Sequence, residues 1–233
     1  MGQKVSPIVI RLGYIENWRS LWFADKAQFK KNVIQDYKIR QFIKKRFAQA
    51  AVSRVVIERL ADKIKVIIHT ARPGVIIGRR GADIDKLKQE LGKFSTQEIN
   101  IEPREVKNPN IDAQLIAQNI AFQLEKRVAF RRAMKRAIEQ AMGSGAKGVK
   151  IACSGRLNGA EMARKEAYKE GKLPLQTFRA EIDYGFAESL TTYGIIGIKS
   201  WVYKGEVIKE KKSQLQGIQP LEVPKAVVKE EQV

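Results

Sequence analysis

The length, composition and charge of the chain limit what it can be. Its 233 residues are 44% hydrophobic, which excludes disorder throughout, and they carry 44 basic and 25 acidic side chains for a net charge of +19. That excess indicates a polyanionic partner, either nucleic acid or an anionic membrane. One cysteine and one histidine exclude an internal disulfide and a His/Cys zinc site.

The membrane alternative has little support. No apolar run reaches the roughly 18 residues that would span a bilayer, and the basic N-terminus lacks the apolar core and cleavage site of a signal peptide. Residues 1–6, MGQKVS, match the loose myristoylation pattern, but one acyl chain anchors a protein only marginally. We therefore predict a soluble cytoplasmic protein whose partner is nucleic acid and not a membrane.

The chain begins with a predicted arm, residues 1–24, which is followed by a helix over residues 25–49. The arm ends in an aromatic cluster of Trp18, Trp22 and Phe23, which we expect to pack against the first domain rather than to stack on bases. The lysines of the helix are interpreted as a solvated face. Its apolar residues recur at helical spacing and predict a buried stripe of Ile39, Phe42, Ile43 and Phe47.

A short loop, Gly78-Arg79-Arg80-Gly81, is the first candidate binding site. Its glycines lack a Cβ and therefore allow another backbone to approach closely. The two arginines between them supply planar donors that suit phosphate. Glycines three apart are common in turns, so the surrounding elements decide how specific this signal is.

Those elements make the loop a specific signal. Strands are predicted over residues 52–60 and 64–69, and a helix over residues 82–94 precedes a strand over residues 98–105. Together with the first helix, this order resembles the type II KH domain, whose glycine loop clamps about four single-stranded nucleotides. We therefore assign residues 25–107 to an RNA-binding KH domain with a three-stranded sheet and helices on one side.

Helices and then strands make up the second predicted domain, residues 108–206. Residues 111–142 predict two helices, since one unbroken helix would be long for a globular domain. Four strands complete an α/β sandwich of two helices on a mixed or antiparallel sheet, so the overall fold class is α+β. Residues 207–233 are predicted to be a flexible tail. The four strands are predicted over residues 147–153, 165–171, 177–184 and 193–203.

The second of these helices carries the second candidate binding site. Its apolar residues, from Phe130 to Ala141, cluster on one side at 100° per residue. The opposite side carries four cations that only Glu139 interrupts, and such a cluster repels itself and weakens the helix. Phosphate binding explains this arrangement better than a solvated face does. The four cations are Arg131, Arg132, Lys135 and Arg136.

No catalytic site is predicted. Residues 143–148, GSGAKG, match the dinucleotide fingerprint, but they leave a helix and enter a strand, so no helix N-terminus would face a pyrophosphate. The sequence contains no phosphate-loop pattern, metal cluster or nucleophile–base arrangement. His69 is expected at a strand end and Cys153 in the core, both without a chemical role. We predict no enzyme activity, no cofactor and no metal.

Short motifs are spread in order over residues 2–206: GQKV at 2–5 with Pro7, IRLG at 10–13, RPGVIIGRRG at 72–81, FRRAMKR at 130–136, KGVK at 147–150, SGRLNGAE at 154–161, IDY at 182–184, TTYG at 191–194 and KGE at 204–206. Through these motifs the chain resembles the family of the third protein of the small ribosomal subunit, in its bacterial form. The tail after Glu206 carries none of them.

This resemblance implies a structural protein of the subunit head that binds rRNA, contacts mRNA near the channel through which it enters, and adjoins the tenth and fourteenth small-subunit proteins. It implies a protein that is not a homo-oligomer. Opening of mRNA structure is carried over to Arg131, Arg132 and Lys135, to which we add Arg136 as an mRNA contact. No NTP site is needed, because translocation pulls the message while fixed charge holds the separated strands. Further RNA contacts are expected at Lys4, Arg11, Arg72, Arg127, Lys147, Lys150, Arg156 and Arg164.

Two other functions stay open on the sequence alone. A free KH-type RNA-binding regulator would read a short single-stranded motif through residues 1–106. This alternative does not explain the presence of the second domain. A nucleic-acid lyase or nuclease would need a convergent site, and none is predicted. The expected location is a cytoplasmic ribosome, and an organellar ribosome is the alternative.

Overall fold

The computed structural model describes residues 4–60, 63–95 and 97–207, and it confirms the predicted α+β class. Apart from Val207, the predicted flexible tail lies outside the described residues. The helices are α1 (Pro7–Arg11), α2 (Lys26–Arg46), α3 (Pro73–Ile77), α4 (Ala82–Gly92), α5 (Ala113–Glu125) and α6 (Phe130–Gly143). The strands are β1 (Ser20–Leu21), β2 (Val52–Arg59), β3 (Lys63–Thr70), β4 (Glu98–Glu105), β5 (Gly148–Gly155), β6 (Arg164–Gly171), β7 (Ala180–Thr191) and β8 (Gly194–Glu206).

The N-terminal sheet has the order β1-β2-β3-β4. Strands β2 and β3 are antiparallel, whereas β4 runs parallel to β3 and β1 runs parallel to β2. Alternate residues of β2 and β3, such as Ile57 and Val66, are fully buried in one core with Ile43 of α2 and Leu87 of α4. The three predicted strands are present, and β1 adds a fourth from the arm. Two residues are too few to show the alternation that reveals a strand.

The C-terminal sheet is antiparallel throughout, in the order β6-β5-β8-β7. Helices α5 and α6 pack on one face, where they meet Val149, Ile151 and Cys153 of β5. The four predicted strands are present, but β7 continues from its predicted end at residue 184 to residue 191. Gly185 does not end this strand. A Cβ there would collide with the backbone of Ala113, so the glycine lets α5 approach β7 closely.

The N-terminal arm contacts both sheets. Its helix α1 lies against β7 and buries Arg11, whose Nε donates to the Ala180 carbonyl at 2.5 Å and whose Nη2 donates to the Thr177 carbonyl at 2.9 Å. Further along, Ser20 and Leu21 pair with β2 of the other sheet. The arm therefore connects the two halves of the molecule.

The aromatic cluster of the arm is divided between core and solvent. Trp22 packs on Phe29 with ring centroids 5.4 Å apart, and its indole N–H donates to Asp36 Oδ2 at 2.9 Å. Trp18 and Phe23 are 59% and 94% exposed. The prediction that these aromatics pack on the first domain is right for Trp22 and wrong for the other two. Only the Trp22 indole meets a buried carboxylate and a neighbouring ring.

Asp112 is the main polar contact between the two halves. One of its carboxylate oxygens accepts two N–H groups of the first turn of α5, at 3.0 and 3.1 Å, and the other accepts the hydroxyl of Ser53 on β2. Gln118 of α5 donates to the Val52 carbonyl at 3.1 Å. Burial, together with the nearby charge of Asp183, raises the pKa of Asp112. The N-terminal half of α5 is therefore held by its own sheet and by β2.

Candidate RNA-binding surfaces

The glycine loop joins α3 to α4 through a 3-10 turn, Arg79–Gly81, which includes Arg80. Gly78 lies at φ 70° and ψ −172°, and Gly81 lies at φ 80° and ψ 2°. The first combination is accessible essentially only to glycine. A Cβ on Gly78 would also collide with the Asp83 side chain, whereas a Cβ on Gly81 would meet open space. The loop therefore depends on its glycines, and Asp83 closes one side of it.

Cations and apolar side chains both reach the surface at this loop. Arg79 is exposed, and so is Arg72 just before α3. Val75 and Ile77 of α3 are also 45% and 39% exposed, which was not predicted because their short apolar run reads as core. The carboxylate of Asp83 in the first turn of α4 interacts favourably with the helix dipole. Its negative charge also offsets part of the positive charge of the nearby arginines. Exposed apolar groups beside phosphate donors suit an unstacked RNA base.

Helix α6 has the two sides that its sequence predicts. Its apolar residues, from Phe130 to Ala141, are buried against the sheet, and all four cations on the opposite side are exposed. Across the described part of the chain, Arg132, Lys135 and Arg136 form no ion pair. Their charges are therefore free to meet an anion from outside.

The N-terminus of α6 adds to this positive potential. Ala129 occupies the N-cap position and has no side-chain acceptor for the N–H groups of the first turn, which also contains no acidic residue. Arg131 and Arg132 instead place positive charge at the positive end of the helix dipole, where a positive charge is unfavourable. Free N–H groups and arginine side chains together favour an anion at this end of the helix.

Arg131 is tied to the neighbouring strand β6. Its Nη2 lies 3.4 Å from Glu166 Oε1, and Nε of Arg164 lies 3.2 Å from the same oxygen. Both guanidinium groups lie within 6.0 Å of the ring centroid of Phe130. The hydrogen bond to Glu166 raises the pKa of Arg131, whose side chain stays 64% exposed. Arg164 therefore extends the cationic cluster, and we call Arg131, Arg132, Lys135, Arg136 and Arg164 the α6 surface.

Two of the other predicted RNA contacts are used inside the fold. Arg11 is fully buried and donates to the main-chain carbonyls of residues 7, 175, 177 and 180, so the prediction that it contacts RNA is wrong. A guanidinium in this state has no exposed donor for phosphate. Arg156 is half-buried and donates through Nε to the Ala160 carbonyl at 3.0 Å and through Nη1 to the Tyr193 carbonyl at 3.3 Å. These bonds hold the turn after β5.

The remaining predicted contacts lie at different places on the surface. Lys4 precedes α1, Lys147 precedes β5, and both are exposed. Arg127 is exposed in the turn between α5 and α6, with a positive φ of 59°. Lys150 projects from the face of β5 opposite to α6, because its neighbours Val149 and Ile151 face the core. Arg127 is the member of this group that lies next to the α6 surface in the chain.

The groups that could do chemistry have structural positions. Cys153 is buried, and burial raises its pKa to about 12, which leaves it a thiol at neutral pH. Residues 143–148 end α6 and begin β5, which is the context predicted for them. Among residues 4–60, 63–95 and 97–207, no three His, Cys, Asp or Glu side chains form a group that could hold a metal ion. Over the same ranges no helix has the length and apolar character to cross a membrane.

Two family models match the chain, one in each half. The model of the KH domain covers residues 38–111, and the model described as ribosomal protein S3, C-terminal domain, covers residues 120–202. Proteins named small ribosomal subunit protein uS3 are similar over nearly the whole chain. The one from Desulforamulus reducens is 56% identical over 217 residues, which are 93% of this chain and 98% of that protein. Those from Clostridium botulinum and Methylococcus capsulatus are 59% and 53% identical over 214 and 209 residues, which are 91% and 90% of this chain and 96% and 94% of those proteins.

This chain belongs to the uS3 family of small-subunit ribosomal proteins. Its place in that family makes it a structural constituent of the ribosome and not an enzyme, as predicted. The predicted resemblance and the KH assignment are confirmed. The glycine loop lies within the KH match, and the four predicted cations of α6 lie within the match to the C-terminal domain of ribosomal protein S3.

Proposed function

We propose that this uS3 protein binds rRNA in the head of the small subunit and uses the α6 surface to hold mRNA near the channel through which the message enters. The observation that carries this proposal is the cluster of exposed cations at the uncapped N-terminus of α6. These charges weaken their own helix, and phosphates would neutralise them. Contacts to phosphate do not depend on base sequence, which suits a surface that every message passes.

The α6 surface favours separated strands without consuming a nucleotide. A single strand released from an mRNA hairpin offers its phosphates to Arg131, Arg132 and Lys135, with Arg136 beside them. Each phosphate that the surface neutralises only on the separated strand stabilises the open form relative to the duplex. Movement of the message comes from translocation, so the protein has only to oppose reclosing of the hairpin.

The KH loop is the second proposed RNA contact. Gly78 and Gly81 let an RNA backbone approach, and Arg79 and Arg80 contact its phosphates. The exposed side chains of α3 lie where bases of the same strand could rest on them. We propose that this loop holds a single-stranded RNA segment within the subunit.

The position in the ribosome completes the proposal. We propose an arm over residues 1–24, a KH domain over residues 25–107 and a C-terminal domain over residues 108–206. Two family matches, one in each half, support two domains, and the KH match runs to residue 111, four residues beyond the proposed boundary. One copy per subunit would adjoin the tenth and fourteenth small-subunit proteins on a cytoplasmic ribosome.

Charge reversal on α6 tests the role in mRNA opening. Small subunits with the reversed protein are expected to translate a message with a stable hairpin about tenfold more slowly, which corresponds to a loss of about 1.4 kcal/mol. An unstructured message should be translated almost normally. The test variant is Arg131→Glu, Arg132→Glu and Lys135→Glu. The matched control, with the same change of charge on the exposed side of α2, is Lys30→Glu, Lys31→Glu and Lys38→Glu.

Two outcomes separate the alternatives. Equal slowing of both messages by the α6 variant would contradict the role in mRNA opening. A free KH regulator predicts that a tagged copy stays apart from small subunits in a high-salt gradient. We expect the tagged copy to sediment with the subunits.

A further inference from the structure

The C-terminal sheet has one covered face and one open face. Helices α5 and α6 cover the first face. On the second, residues 173–180 and α1 cover only the end near Ile182 and Tyr203. The cross-strand register arranges the side chains of this second face in rows across β6, β5, β8 and β7, in which Ala152 is buried and Trp201 packs against the covered end. One row is Lys169, Lys150, Trp201 and Tyr184, and the next is Ala167, Ala152, Lys199 and Phe186. We call these rows, together with Lys165 on β6, the open sheet face.

One half of the open sheet face is cationic. Lys150, Lys165, Lys169 and Lys199 project from it, and none of them pairs with a carboxylate of the described residues. Lys150 and Lys169 lie directly opposite each other on neighbouring strands, an arrangement that destabilises a sheet. Burial and the nearby charges of Lys4, Lys165 and Lys169 lower the pKa of Lys150. A bound anion would relieve this repulsion.

The other half of the open sheet face is aromatic. The rings of Tyr184 and Trp201 have centroids 5.5 Å apart, and Phe186 is 43% exposed in the next row. Nζ of Lys150 lies 5.3 Å from the centroid of the Trp201 ring, so the two halves meet there. Rings and cations side by side on an open sheet are the combination that binds single-stranded RNA, whose bases stack on the rings.

We propose that the open sheet face is a third RNA site, distinct from the KH loop and the α6 surface, which binds a single-stranded RNA segment. The phosphates lie along Lys150, Lys169 and Lys199, and one or two bases stack on Tyr184 and Phe186. This inference rests on the proposed function in taking RNA as the ligand of the chain. It requires neither the α6 surface nor mRNA, because α6 lies on the opposite face of the sheet.

An acidic protein is the other occupant that such a face could take. Among the described residues this face carries four lysines and one carboxylate, Glu188 of β7, which lies in the row of Lys165 and forms no ion pair with it. That excess of positive charge matches a run of phosphates, which carry one negative charge per nucleotide, better than a protein surface of mixed sign. The aliphatic side chains that a protein contact would use, Leu190 and Ile195, lie beyond the rows, close to the turn between β7 and β8. Charge complementarity therefore favours RNA on the rows themselves.

Binding of an oligouridylate of about 12 nucleotides to the full chain tests the site. The background protein lacks three of the four exposed cations of α6, so that its binding reports mainly the other surfaces. Removing three lysines of the open sheet face should lower the slope of log Kd against log salt by about 2, since each neutralised phosphate contributes about 0.7. Affinity in about 50 mM salt should fall at least tenfold. The background is Arg131→Gln, Arg132→Gln and Lys135→Gln, and the added changes are Lys150→Gln, Lys169→Gln and Lys199→Gln.

An aromatic variant separates stacking from charge. Tyr184→Leu with Phe186→Leu should weaken binding about tenfold, because each stacked base contributes about 1–3 kcal/mol. The salt slope should stay the same, since leucine and the rings are uncharged. Ultraviolet crosslinking of the oligomer to the background protein, followed by mass spectrometry, should identify peptides of β7 and β8.

A matched control and three outcomes decide the question. Lys30→Gln, Lys31→Gln and Lys38→Gln on α2 remove the same charge and should leave the crosslinks to β7 and β8 in place. Equal changes of salt slope in the control and sheet-face variants, or the absence of those crosslinks, would overturn the proposal. The proposal would also be overturned if the sheet-face variant bound the oligomer normally but small subunits that contain it lost a neighbouring protein. That result would identify a protein as the occupant of the face. Circular dichroism verifies that the sheet-face variant is folded. None of these results depends on the translation assay for α6.

Discussion

The KH loop and helix α6 present positive charge to RNA in opposite ways. In the loop, the backbone that RNA would approach is also required by the fold, because Gly78 has glycine-only torsions and Asp83 leaves no room for a Cβ there. On α6 the unpaired charge of Arg132 opposes the fold, because it stands at the positive end of an uncapped helix, whereas Arg131 beside it is partly compensated by Glu166. Damage to the loop should therefore reduce stability, whereas neutralisation of α6 should increase it. The KH loop thus contributes to the stability of the fold, whereas the charges of the α6 surface reduce it.

Gly78→Ala should have the largest effect on stability. We expect it to lower the free energy of unfolding by about 2–3 kcal/mol, since strained torsions cost about 1–3 kcal/mol and the new Cβ collides with Asp83. Urea unfolding of the full chain measures this loss. Adding Asp83→Ala removes the contacts with the carboxylate but leaves the Cβ of residue 83 at 2.7 Å and the backbone strain, so it should restore only part of the stability.

Gly81→Ala is the matched control for this loop. Its Cβ would meet open space, so only the left-handed torsions add a cost, about 1–2 kcal/mol. Equal losses for Gly78→Ala and Gly81→Ala would contradict the structural role assigned to Asp83.

Substitutions at Ala129 should separate stability from RNA binding on α6. Ala129→Ser supplies the missing N-cap acceptor and should raise the free energy of unfolding by about 1 kcal/mol without changing charge. Ala129→Asp should stabilise the helix by a similar amount but place a carboxylate beside Arg131 and Arg132. Thermal unfolding and oligouridylate binding measure the two properties. If Ala129→Asp binds RNA as tightly as Ala129→Ser, phosphates do not occupy this end of α6.

Arg132→Gln should give the smallest change. Removing one exposed charge from the positive end of the dipole should raise the free energy of unfolding by about 0.5 kcal/mol. Urea unfolding at low ionic strength measures it, because salt screens the effect. The same substitution at Lys30, outside the α6 surface, is the control. A loss of stability for Arg132→Gln would remove the contrast between the two surfaces.

Local periodicity is enough to predict some of these features. A helix presents its sides at a fixed angle, so Phe130 and Ala133 could be placed in the core and Arg132 outside before any tertiary contact was known. The KH loop could be predicted because its glycines are diagnostic only in their order among helices and strands. Both inferences use neighbours in the chain.

Features that depend on distant pairing could not be predicted in this way. Lys150 meets Lys169 and Trp201 only through the strand order β6-β5-β8-β7, which the spacing of residues does not reveal. The second half of β7 was missed because polar residues such as Ser189 interrupt its apolar pattern. Ser189 is nonetheless buried, with its hydroxyl donating to the Ala121 carbonyl at 3.0 Å.

The burial of the charged side chain of Arg11 is another feature that depends on residues distant in the sequence. Composition counts every arginine as available to a partner, yet the acceptors of this one are carbonyls near residue 180. A basic residue in a basic arm gives no local sign that it will be buried by a distant strand. The prediction of an RNA contact at Arg11 failed for this reason.

The burial of Arg11 also sets an order of events during synthesis. Its partners at residues 175, 177 and 180 follow it in the chain by 164 to 169 residues. At about 5–20 residues per second, ribosomes need on the order of ten seconds or more to make that stretch. Until β7 has emerged, helix α1 has no site to occupy, even if the KH domain has already folded. The first helix to be translated is therefore among the last to reach its native contacts.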